Sequence, residues 1–89
     1  MARFEVPEVD LATMGQQVNT ADLFFELGIS YSVGRGVPTD RIAAHKWFNL
    51  AAARGNADAS RYRREISGEM TKAEVIEAQR QAREYVSLQ

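Results

Sequence analysis

Leu27-Gly28-Ile29-Ser30-Tyr31-Ser32-Val33-Gly34-Arg35-Gly36-Val37-Pro38-Thr39-Asp40, followed by Ala44, Trp47, Phe48, Ala51, Ala52 and Gly55, decides the fold of this chain. The stretch reads as a helix, a turn and a second helix. Gly34 and Gly36 supply backbone angles that other residues avoid, so the first helix ends there. Val37-Pro38 imposes an extended step, because proline disfavours helical backbone at the residue before it. Asp40, or Thr39 before it, then offers a side-chain oxygen to the free amides of the second helix. Gly55 stands where a left-handed residue closes that helix.

Upstream of this stretch, Asn19 or Thr20 can cap the first helix, which runs to about Val33. Leu23, Leu27 and Tyr31, at i, i+4 and i+8, are its expected inward stripe. The second helix continues to about Arg54 with Ala44, Trp47, Phe48 and Ala51 on one face. Small alanines beside a large tryptophan suit close antiparallel packing on the first helix.

Downstream, Asn56 can cap a third helix with Ala59, Tyr62 and Ile66 inward, broken at Ser67-Gly68. Thr71-Lys72-Ala73-Glu74 then matches a capping box, with Met70 and Val75 placed as its hydrophobic staple. A fourth helix to about Val86 would turn Val75, Ala78, Gln79, Ala82 and Tyr85 inward. Alternation of apolar and polar residues persists nowhere, so the expected class is all-α with about four helices. Pro7 interrupts and Gly15 weakens any helix in the first eighteen residues. Residues 1–18 are therefore expected to form an extended arm, and residues 19–89 a single helical domain.

The 89 residues are 45% hydrophobic and 26% charged, which suits a small globular domain rather than a disordered or membrane-embedded chain. With no cysteine, neither disulfides nor a thiolate metal site can support so small a core. No apolar run has the length of a signal peptide core or a membrane span, so a cytoplasmic location is the expectation. The net charge of −1 hides an acidic front, −4 over residues 1–40, and a basic back, +3 from residue 41. Such a division could steer a charged partner, or could simply be two solvated sets of helix faces.

The decisive stretch resembles the Sel-one-like repeat family, a relative of the tetratricopeptide repeat. Leu27-Gly28, Tyr31, Gly34-Arg35-Gly36-Val37, Pro38, Asp40, Ala44, Trp47, Ala51-Ala52 and Gly55 follow that family's pattern in order and spacing. One full unit spans residues 21–56, and residues 57–87 resemble a degenerate half-repeat and a capping helix. The next Leu-Gly is missing, with Arg63-Arg64 in its place. Inside the unit, Ala43 stands where the family usually has Lys. Leu50 replaces a usually polar residue, and the third or fourth helix is expected to cover it.

The resemblance implies a short α-α solenoid of helix-turn-helix hairpins that binds other proteins and has no chemistry of its own. Solenoids usually need about three repeats to be stable, so a chain with one full repeat calls for something that completes it. By the same resemblance, the side of the first helix carrying Asp22, Phe25, Ile29 and Ser32 would meet a protein ligand, with Phe4 and Val6 of the arm as further anchors. Alternatively the arm itself, through Phe4, Val6, Val9 and Leu11, covers that side.

Other constellations carry less. Gly34-Arg35-Gly36 joins two helices and lacks the strand and third glycine of a phosphate loop. Arg61, Arg63 and Arg64, with Arg54 near, form the densest basic cluster, but a net charge of −1 argues against a nucleic-acid surface. His45 is the only histidine and has no thiol companions, so no metal, cofactor or catalytic site is expected. The expected function is a non-catalytic adaptor or small accessory subunit. The alternative is a self-associating structural protein, paired through its first or fourth helix.

Overall fold

In a computed structural model of the chain, residues 19–88 are described, and they fold as four helices with no strand among them: α1 (Thr20–Val33), α2 (Arg41–Ala53), α3 (Ala59–Ser67) and α4 (Lys72–Ser87). The expected arm, with Phe4 and Val6, lies outside the described residues.

Local chemistry sets the boundaries. The Asn19 side chain accepts a hydrogen bond from the Ala21 amide at the start of α1, and Asp40 accepts from the Ala43 amide at the start of α2. Gly34 and Gly36 take positive φ of 78° and 76°, and Gly55 takes 104°. Thr71 and Glu74 complete a reciprocal capping box at α4, the Thr71 hydroxyl accepting from the Glu74 amide and the Glu74 carboxylate from the Thr71 amide. Asn56 differs from the expected cap. Its Oδ1 accepts from the Asp58 amide and closes a turn ahead of α3, whose own N-cap residue, Asp58, makes no side-chain cap.

The central element is α2, against which α1, α3 and α4 all pack. It runs antiparallel to α1 and α3, which places Phe24 and Phe25 beside Trp47 and Phe48, and Arg63 beside Asn49. It runs parallel to α4. Glu74 lies near the Ile42 end and Val86 near the Ala53 end. The last two helices thus lean on α2 rather than on each other, and only α1–α2 forms a closely packed hairpin.

Two aromatic triads hold the four helices together. Phe24, Trp47 and Tyr85 join α1, α2 and α4 with ring centroids 5.2, 5.8 and 5.3 Å apart. Phe25, Phe48 and Tyr62 join α1, α2 and α3 at 5.6, 5.0 and 5.6 Å. Each such pair contributes about 0.5–1.5 kcal/mol beyond the apolar area it buries. Leu50 is buried with Ala59 and Ala82, covered from both α3 and α4 as its character requires.

Two inward stripes differ from expectation in part, while Tyr31 of the first and Ala78, Ala82 and Tyr85 of the second pack inward as expected. Leu23 and Leu27 face outward, 52% and 38% exposed, while α1 buries Ala21, Phe24 and Gly28. Close approach to α2 selects the smallest residues: a Cβ on Gly28 would lie 2.5 Å from the Phe48 ring. The leucines, rotated away around the helix, are left outside. On α4 the exposed residue is Gln79, and Gln81 is half-buried in its stead.

Candidate groove between α1 and α3

The C-terminal halves of α1 and α3 lie side by side over Phe48 and leave a groove of about 260 Å³ lined by Ser32, Val33, Phe48, Tyr62, Glu65, Ile66 and Glu69. Only nine residues form α3, which ends at Ser67 with Gly68 as its C-cap. Val33 is 63% exposed at the groove's edge.

The floor is apolar and aromatic. Phe48 and Ile66 are buried, and Tyr62 packs edge-on against Phe25. The rim is acidic. Glu65 reaches Arg61 at 3.8 Å, an exposed pair of little energetic weight, and Glu69 makes no ion pair among the described residues. Apolar floor and carboxylate rim together suit recognition of a side chain that is itself partly apolar and partly cationic.

The residues expected to bind from sequence are distributed as follows. Ser32 lines the groove, its hydroxyl donating to the Ile29 carbonyl at 2.9 Å. Phe25 and Ile29 are half-buried beneath it, packed into the Phe48 cluster, and act as support rather than as an open face. Asp22 stands at the other end of α1, about 15 Å along the helix. Its carboxylate accepts from the Asn56 amide nitrogen at 2.9 Å and so tethers α1 to the end of α2. Phe4 and Val6 lie outside the described residues. Val33, Glu65, Ile66 and Glu69 were not singled out as contacts in the sequence, although Glu65 on α3 and Glu69 in the turn after it, four residues apart, were a usable signal.

Away from the groove, His45 is 2% exposed, and its Nδ1 has no hydrogen-bond partner among the described residues. Burial holds its pKa below the ordinary histidine value, with the nearby Arg63 charge adding to the effect. Among the described residues no group of three or more His, Cys, Asp or Glu is placed to hold a metal ion, and no helix is long and apolar enough to cross a membrane.

Comparison with family models, curated proteins and solved structures finds no match to this chain.

Proposed function

We propose that this protein is a non-catalytic protein-interaction module of the Sel-one-like repeat kind, acting in the cytoplasm as an adaptor or small accessory subunit of a larger assembly. The observation that carries the proposal is the open α1/α3 groove, where Val33 stands exposed between an aromatic floor and the Glu65 and Glu69 carboxylates. Its Leu27-Gly28 to Gly55 stretch supports the same reading through its resemblance to a repeat built for stacking and recognition.

The test is affinity capture with the full chain and its Val33→Asp variant as baits. A protein retained by the native chain and lost by the variant supports the groove; identical retention by both baits overturns it.

A second reading rests on the outward Leu23 and Leu27, which form an exposed apolar stripe at i and i+4 on α1. Pairing of this stripe across a two-fold axis would make the chain a homodimer. Light scattering after size exclusion decides the matter, with Leu27→Asp dissociating the dimer if that reading holds.

A further inference from the structure

We propose that the α1/α3 groove takes an arginine side chain of the partner protein, with its carbon stem on the apolar floor and its guanidinium at Glu69. This rests on the groove being the recognition site, and it adds the chemistry of what enters.

Charge around the opening has one sign. Among the described residues, the lining includes the carboxylates of Glu65 and Glu69 and no lysine or arginine. Helix ends add to them. Ser32 and Val33 are the last two residues of α1, and Glu65 and Ile66 lie in the last turn of α3, so both helices bring the negative ends of their dipoles to the groove. The last turn of α1 holds no basic residue, and Arg35, just past it, turns back to Glu26 at 3.9 Å. The last turn of α3 does hold one, Arg64, which is exposed and lies outside the lining. A cation entering the groove is therefore attracted by both carboxylates and both helix ends.

Shape and surface select arginine among cations. A groove of about 260 Å³ equals roughly nine waters at about 30 Å³ each, room for one long side chain. Phe48 and Ile66 are buried at its base and Val33 stands exposed at its edge, so a carbon stem meets apolar surface there. A guanidinium is planar, lies flat on aromatic rings and carries five donors, whereas an ammonium is compact and strongly hydrated. The chain already contains such an arrangement. The Arg61 guanidinium carbon lies 4.8 Å from the Tyr62 ring centroid, and its Nη1 lies 3.8 Å from Glu65. Glu65 is thus shared within α3. Glu69 is exposed and in no ion pair among the described residues, which leaves its carboxylate for an incoming arginine.

Blocked tripeptides with alanine on either side of arginine, lysine, norleucine or glutamate test this when titrated into the isotope-labelled full chain. Amide shifts are read by nuclear magnetic resonance. The arginine peptide should give saturable shifts at Val33, Tyr62, Ile66 and Glu69 and none at Ile76. Lysine should bind more weakly, norleucine about fivefold more weakly, and glutamate not at all. Glu69→Gln, a change at an exposed side chain, should weaken the arginine peptide about fivefold and leave the norleucine titration unchanged. Norleucine or lysine binding as tightly as arginine would overturn the proposal while keeping the groove as a recognition site. No saturable shift at the groove with the arginine peptide, or one indifferent to Glu69→Gln, would overturn it too. The groove itself is decided separately, by capture with the Val33→Asp bait.

Discussion

Gly28 and Phe48 are in direct contact: a Cβ added to Gly28 would lie 2.5 Å from both Cδ1 and Cε1 of the buried ring. This contact fixes how closely α1 approaches α2, and through it which residues of α1 are buried and which are left for solvent or a partner.

Gly28→Ala should therefore destabilise the protein even though alanine favours helix. Overpacking a closed core costs about 1–3 kcal/mol, and helix propensity returns about 1 kcal/mol. A net loss of about 1 kcal/mol, read from urea denaturation, is expected. Combining it with Phe48→Leu should cost less than the sum of the two single changes, because the smaller side chain relieves the clash. A Gly28→Ala protein more stable than the native one would refute the close contact.

Phe25 and Leu27 are two residues apart but should respond oppositely to Asp. Phe25 is engaged with Phe48 and Tyr62, so Phe25→Asp removes a ring and places a charge in the core, a loss of about 3 kcal/mol or more. Leu27→Asp changes an outward side chain and should stay within about 0.5 kcal/mol. Thermal melts of the two variants separate folding from recognition, and a cooperative, native-like melt for Phe25→Asp would refute its place in the core.

The capping box makes a third prediction. Thr71→Ala removes the hydroxyl that accepts from the Glu74 amide and should cost about 1 kcal/mol. For a domain of this size that lowers Tm by roughly 4–8 °C. Thr71→Ser should retain most of the stability, since its hydroxyl can make the same bond.

His45 should make stability depend on pH. Its folded-state pKa lies below the ordinary value near 6.5, so as pH falls the unfolded chain binds the proton first. Stability is then fully present above about pH 6.5 and declines as pH drops through it, levelling once the native histidine is also protonated. Because the chain has a single histidine, Tm measured between about pH 8 and about pH 5.5 isolates this group from the carboxylates. His45→Met should flatten the profile. Identical slopes for the two proteins would contradict the assignment.

Much of this architecture was legible in the residues. Gly34, Gly36, Asp40, Thr71-Glu74 and Gly55 act locally, through backbone angles and caps, and each sets the boundary its chemistry implies. Leu50 was recognisable as a covered position because an isolated large aliphatic at an expected surface site needs a neighbour.

What escaped the sequence depends on tertiary geometry. Apolar size pointed to Leu23 and Leu27 as the inward stripe, whereas helix approach favours Ala21 and Gly28 at the contact. His45 was not among the expected inward residues, because α2 was read with one buried face of Ala44, Trp47, Phe48 and Ala51. Three helices pack on α2, so its buried arc widens to include His45 and Leu50. The groove combines Val33 from α1 with Glu65 and Glu69 from α3 and its following turn, and only the crossing of the two helices brings them together.

Site-specific photocrosslinking in the native host tests the central claim most directly, with a benzophenone side chain replacing Val33 in one variant and Ile76 in another. Recognition through the α1/α3 groove predicts a covalent adduct with a different protein at Val33 and none at Ile76. No adduct at Val33, an adduct confined to Ile76, or a Val33 adduct of twice the chain's own mass would contradict it.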